Sequence, residues 1–146
     1  MRTILALAAL ALLPGCLVAY DTDGAPPVAA GGAIVVTNDA PVIDWADAGC
    51  GWDPVYRDFV WTFDAEVNDW DGLGDVAAVF ADVYDSWSGA WVDGFELGRV
   101  DAYAWTSAWL GADTFLDCGY PDYEVDFVAL DTLNDEDVVT VVPGRW

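Results

Sequence analysis

Alternation of apolar and polar residues with a period of two is the feature that most constrains the fold of this chain. The segment "FVWTFDAEV" places Phe59, Trp61, Phe63, Ala65 and Val67 on one face of an extended chain. The equivalent residues of "AAVFADV" and "YEVDFVA" are Ala77, Val79, Ala81 and Val83, and Tyr123, Val125, Phe127 and Ala129. Turn-forming stretches such as "GLGD", "DSWSG" and "TLNDED" separate the runs, and no long segment shows helical periodicity. The pattern predicts an all-β domain of seven to eight short strands, folded as a two-sheet sandwich.

The start of the chain differs from the rest and predicts export. A short basic start is followed by the apolar run "ILALAALALL". As a helix this run would span roughly 15 Å, about half of a bilayer's hydrocarbon core, so it indicates a secretory signal and not a membrane span. The run leads into "LPGC", residues Leu13 to Cys16, which resembles the lipobox of bacterial lipoproteins.

The lipobox resemblance implies that the chain is cleaved before Cys16, which then carries a diacylglyceryl group and anchors the protein to a membrane. Residues 1–15 would form the lipoprotein signal peptide. Residues 16–32, rich in Ala, Gly and Pro, would form a flexible tether, and residues 33–146 the folded domain. Leu17 follows the cysteine where an aspartate would indicate retention in an inner membrane, so in a cell with two membranes the resemblance favours the outer one. An ordinary signal peptide with a chance cysteine is the alternative.

The charged residues of the chain limit the classes of partner and of reaction that it can support. It carries 26 acidic residues, four arginines, no lysine and no histidine, and its formal net charge is −22. A surface of this charge repels nucleic-acid phosphates, so no nucleic-acid partner is expected. The absence of histidine and lysine removes the usual general base and the Schiff-base nucleophile. Paired carboxylates remain, as in glycosidases, but we expect no enzyme and place a small hydrolase last among the functions.

Two segments resemble bacterial immunoglobulin-like and fibronectin type III-like domains. "VNDWDGLGDV" is similar to the connection between strands B and C, and "YEVDFVALDTLNDEDVVTV" is similar to strand F, its loop and strand G. The resemblance implies an immunoglobulin-like sandwich in which both connections lie at the same end. Their acidic and amide side chains would then form an oxygen-rich pole that suits calcium; otherwise no cofactor is expected. The candidate ligands are Asp69, Asp71, Asp75, Asp131, Asn134, Asp135 and Asp137. The alternative is that these residues only form turns.

The same fold resemblance implies a disulfide between Cys50 and Cys118. An exported compartment permits the bond. In the resembled fold, the A–B and E–F connections share one end, and "ADAGCGWDP" and "FLDCGYPD" fall in those connections. Two free thiols in unrelated loops are the alternative.

Aromatic residues provide the candidate ligand-binding surface. In "VDAYAWTSAWL", Tyr103, Trp105 and Trp109 fall on one face of the predicted strand. If that face is exposed, the three rings form a row suited to sugar rings or to protein contacts. The alternative is that the rings face the core and the alanines face outward. We therefore expect a cell-envelope lipoprotein that presents a binding or structural module to an envelope protein or glycan. A carbohydrate-binding module is the main alternative.

Overall fold

A computed structural model describes residues 38–146. The predicted signal peptide, the predicted lipidation site Cys16 and the predicted tether lie outside the described residues. The described part of the chain contains no α-helix, and its strands form two sheets. The strands are β1 (Val42–Asp53), β2 (Asp58–Asn68), β3 (Val76–Asp85), β4 (Ala90–Glu96), β5 (Gly98–Arg99), β6 (Ala104–Leu110), β7 (Tyr123–Asp131), β8 (Glu136–Val141) and β9 (Gly144–Arg145). A 3₁₀ turn, Gly111–Asp113, follows β6.

The strand order confirms the predicted immunoglobulin-like two-sheet sandwich. One sheet has the order β5-β6-β2-β1-β9 and the other the order β4-β3-β7-β8. In the immunoglobulin scheme β1, β2 and β6 correspond to strands A, B and E, and β3, β7 and β8 correspond to C, F and G. Tyr123 opens β7, and its hydroxyl accepts a hydrogen bond from the backbone N–H of Asp117, 3.1 Å away. This contact ties the start of strand F to the connection before it, as a tyrosine near the start of this strand does in immunoglobulin-like sandwiches.

The core lies between the two sheets and uses the faces that the alternation predicted. Trp61, Phe63, Ala65 and Val67 of β2 are buried, as are the four predicted inward residues of β7. The Phe63 ring stacks on that of Phe95 from the opposite sheet, with ring centroids 4.7 Å apart. Aromatic rings thus make the contact between the two sheets where β4 packs on β2.

Two predicted inward positions were wrong. A register shift between Val76 and Ala78 turns the buried Val76 toward the core and leaves Ala77 exposed. An irregularity of this kind reverses the side-chain alternation locally. Phe59 lies on the same face of β2 as Trp61 and Phe63, as predicted. It is near the start of the strand, however, beyond the end of the core, and is 43% exposed.

Strand β1 is longer than the alternation predicted, because it continues through the glycine-rich stretch that contains Cys50. Cys50 therefore lies inside the strand and not in the A–B connection. A Cβ atom at Gly51 would lie 2.2 Å from Nε1 of Trp146, and a Cβ at Gly49 would also collide with that ring. The two glycines thus make room for Trp146, which packs flat on the outside of β1.

Candidate functional site

The β2–β3 and β7–β8 connections meet at one end of the sandwich, as the fold resemblance implied. The hydroxyl of Thr132 donates a hydrogen bond to Oδ1 of Asp75 across the two loops. The side-chain amide of Asn38 donates to Asp131 and to Asp135, and so ties the segment before β1 to the second loop. This end is referred to below as the acidic pole.

Three carboxylates of the β2–β3 loop converge at the acidic pole. One oxygen each of Asp69, Asp71 and Asp75 lies within 4.8 Å of the other two. Each side chain is also held by a hydrogen bond through one oxygen. Asp69 Oδ1 accepts from the N–H of Asp71 at 2.8 Å, and Asp71 Oδ2 accepts from the N–H of Asp39 at 2.7 Å. The convergence is therefore fixed by one contact within the β2–β3 loop and by one contact each from the segment before β1 and from the β7–β8 loop. It offers three oxygen ligands within reach of one cation.

Asp69 differs from its two neighbours in burial. Its side chain is only 5% exposed, whereas Asp71 is exposed and Asp75 is half-buried. Its second oxygen, Oδ2, is buried and accepts no hydrogen bond from any residue between 38 and 146. Buried polar atoms of folded proteins nearly always have a partner.

The other four predicted calcium ligands lie outside the three-carboxylate group, and their contacts form a turn or join neighbouring segments. Asp131 Oδ1 accepts hydrogen bonds from the N–H groups of Leu133 and Asp135, both at 2.8 Å. Asn134 has a φ of 66°, the left-handed conformation that asparagine tolerates in turns. Asp137 Oδ2 accepts from the N–H of Ile43 at 2.9 Å. These contacts are those of turn-forming and strand-fixing residues.

The environment of Asp131 shows how that turn is fixed. Burial pushes the pKa of Asp131 upward, but the hydrogen bonds from Asn38 and from the backbone N–H groups of the turn outweigh burial and lower it overall. A carboxylate that accepts several hydrogen bonds is favoured in its charged form. Asp131 is therefore ionised, and it stabilises its own loop as a hydrogen-bond acceptor for the backbone.

Arg99 lies near the end of the β2–β3 loop, but its guanidinium is directed at a carbonyl group. Its Nη2 donates to the backbone oxygen of Val76 at 3.0 Å, and its Cζ lies 4.5 Å from the centroid of the Trp105 ring. The guanidinium is therefore held by a carbonyl and an aromatic face.

The predicted row of exposed aromatics does not form. Trp105 is only 7% exposed and faces the core, so the alternative that the rings face inward holds for this residue. Tyr103 is half exposed, and it precedes β6 in a turn in which Asp101 Oδ1 accepts hydrogen bonds from the N–H groups of Tyr103 and Ala104. The predicted strand through residues 100–109 is thus broken at this turn, because Asp101 provides a side-chain acceptor for the backbone.

Trp109 lies in an open groove at the edge of the sandwich. It is 41% exposed, and its ring packs against Phe95 with centroids 5.6 Å apart. The groove has a volume of about 640 Å³, and the acidic residues Asp93, Glu96 and Asp113 are among those that line it. Sequence reasoning did not associate these acids with Trp109, because they belong to separate segments that only the fold brings together. An aromatic ring with nearby carboxylates is an arrangement that suits a sugar ring.

Cys50 and Cys118 form the predicted disulfide, with Cα atoms 5.8 Å apart. The bond connects β1 to the β6–β7 connection. Nearby, the hydroxyl of Tyr120 donates a hydrogen bond to Oδ2 of Asp85. This bond is the main cause that lowers the pKa of Asp85 to about 2 and raises the pKa of Tyr120 to about 12.

Comparison with protein-family models, with curated proteins and with solved structures found no match to this chain. Among the described residues, no helix has the length and apolar character needed to cross a bilayer.

Proposed function

We propose that the chain is a lipid-anchored protein of the cell envelope whose immunoglobulin-like domain is a non-enzymatic binding or structural module. The observation that carries the proposal is the Cys50–Cys118 disulfide in the folded domain. Structural disulfides persist in oxidising compartments and are rare in the cytosol. The bond therefore supports export, which is also what the N-terminal apolar run and "LPGC" indicate.

The lipid on Cys16 would act as the anchor, and the tether would set the distance of the domain from the membrane. Two or three acyl chains hold a protein at a bilayer far more firmly than one chain. A flexible segment of residues 17–32 would give the domain a reach of roughly 20–25 Å. In a cell with two membranes we propose the outer one, because Leu17 replaces the aspartate that would favour inner-membrane retention. The negative charge makes a protein or glycan a more suitable partner than nucleic acid.

Fatty-acid labelling tests the anchor. Cells that express the full chain are grown with labelled palmitate, and the wild type should incorporate the label and sediment with membranes. Cys16→Ser should lose the label and accumulate as an uncleaved precursor. Cys118→Ser is the matched control, since it makes the same chemical change at a cysteine of the disulfide and should retain the label. Equal labelling of wild type and Cys16→Ser would contradict the proposal.

A carbohydrate-binding module is the second candidate, and the groove beside Trp109 favours it. The test is titration of the full chain with cell-wall and capsular glycans by calorimetry. Trp109→Ala should abolish saturable binding. Trp87→Ala should not, because Trp87 is an exposed tryptophan of the β3–β4 hairpin and is not part of the groove. If no glycan shows saturable binding, the carbohydrate-binding candidate is wrong and the structural or protein-binding role remains.

A further inference from the structure

We propose that the β2–β3 loop binds one calcium ion through Asp69, Asp71 and Asp75. The first observation is the convergence of one oxygen from each carboxylate to within 4.8 Å of the other two. The second observation is that Asp69 is buried with an oxygen that has no hydrogen-bond donor among the described residues. This site is separate from the lipid anchor and from the groove beside Trp109.

The two carboxylate oxygens of Asp69 differ in their partners, and this difference is the reason to expect an ion. Turn formation accounts for only one of the two oxygens. Oδ1 accepts a hydrogen bond from the N–H of Asp71, as a turn-forming aspartate does. That contact leaves Oδ2 buried and unpartnered. An ionised carboxylate removed from water is unfavourable unless donors or a cation compensate it. A cation between the three carboxylates supplies that compensation.

The ligand set and its spacing suit calcium. All three side chains offer oxygen, the ligand atom of hard cations such as calcium and magnesium. Calcium binds oxygen at about 2.3–2.6 Å, so two oxygens on one ion lie no more than about 5 Å apart. The observed limit of 4.8 Å meets this condition. Backbone carbonyls and water would complete the coordination, as they do in other calcium loops.

The contacts of the three side chains indicate what the ion would do. Asp71 also accepts a hydrogen bond from the segment before β1, through Asp39, and Asp75 accepts one from the β7–β8 loop, through Thr132. An ion held by these carboxylates would therefore join three segments at the acidic pole. Because the ion binds the folded chain, calcium should raise the melting temperature in proportion to the logarithm of its concentration once the site is saturated.

Trp70 provides an optical probe for the site, because it lies between Asp69 and Asp71 in the sequence and is 81% exposed. Terbium ions occupy calcium sites and emit when a nearby indole is excited. The full chain is stripped with chelator, placed in about 0.15 M NaCl to screen diffuse charge, and titrated with terbium. The expected result is saturable emission that calcium displaces. Calorimetry should give one calcium per chain with a dissociation constant of about 10⁻⁵–10⁻³ M.

Variants separate a specific site from general attraction of cations to an acidic protein. Asp69→Asn keeps the Oδ1 acceptor of the turn but removes the charge, and we expect it to weaken calcium binding by about tenfold or more. Asp135→Asn is the matched control, since it removes the same charge at the same pole outside the three-carboxylate group, and it should bind as the wild type does. Circular dichroism checks that both variants are folded. Loss of affinity in both variants, or absence of a stoichiometric calcium site in the wild type, would overturn the proposal. Equal affinity for magnesium would overturn the assignment to calcium.

Discussion

Removal of the disulfide should be the most destabilising change that leaves the hydrophobic core nearly intact. Cys50 and Cys118 are separated by 68 positions along the chain. In the chain-entropy model, closure of a loop of this length restricts the unfolded state and stabilises the folded one by about 4 kcal/mol. Cys50 is also buried, so its truncation removes some packing. We therefore expect the double variant Cys50→Ala/Cys118→Ala to lose about 4–5 kcal/mol of unfolding free energy.

Unfolding in guanidinium chloride, followed by tryptophan fluorescence, measures this loss directly. For a domain of about 110 residues the unfolding entropy is about 0.23 kcal/mol/K, so the melting temperature should fall by about 17–22 °C. The wild type under reducing conditions should approach the variant, whereas reductant should not change the variant. A loss below about 1 kcal/mol would refute the reasoning. Alkylation of both thiols in the folded, oxidised wild type would show that the bond does not form.

Two further predictions concern the core and the dependence of stability on pH. Phe63→Ala should cost about 3–5 kcal/mol in chemical denaturation because its ring is fully buried, whereas Phe115→Ala, at an 82% exposed position, should change stability by less than about 0.5 kcal/mol. The lowered pKa of Asp85, about 2 against a usual 3.8, predicts a stabilisation that is present above pH 3.8 and is lost as the pH falls toward 2. The raised pKa of Tyr120, about 12 against a usual 10.0, predicts a stabilisation that is present below pH 10.0 and is lost as the pH rises through 12. In melting curves recorded across pH, Tyr120→Phe should remove the dependence at high pH and weaken the one at low pH, where hydrogen bonds from Ser88 also hold Asp85. An unchanged profile would contradict the contact.

The alternation of the sequence was sufficient to predict the central strands and the faces they bury. In the middle of β2 and at the start of β7, apolar residues alternate with acidic or hydroxyl residues, so the parity of the pattern fixes the orientation of the strand. The same reasoning failed at Ala77, because a register shift depends on the pairing with a neighbouring strand. It also failed to extend β1 through Gly49 and Gly51, because glycines carry no side-chain pattern. The ring of Trp146, at the other end of the described chain, covers this part of β1.

For the acidic pole, the sequence predicted which loops lie together but not which side chains lack a partner. The resemblance to immunoglobulin-like domains correctly placed the β2–β3 and β7–β8 loops at one end. It did not distinguish Asp69 from Asp131, since both are aspartates that form turns. The difference is that Asp131 has a donor for each of its oxygens, whereas Asp69 has one buried oxygen without a donor. Such a difference depends on neighbours that are distant in the sequence.

The measurement that most directly tests the proposed envelope lipoprotein is the mass of the mature chain isolated from membranes. We expect that the mature chain begins at Cys16 and carries a diacylglyceryl group in thioether linkage to that residue. Fragmentation of the N-terminal peptide should locate the lipid on Cys16, and the mass should also show the two hydrogens lost in the disulfide between Cys50 and Cys118. A mature chain that begins elsewhere, or that begins at Cys16 with a free thiol and no lipid, would contradict the account.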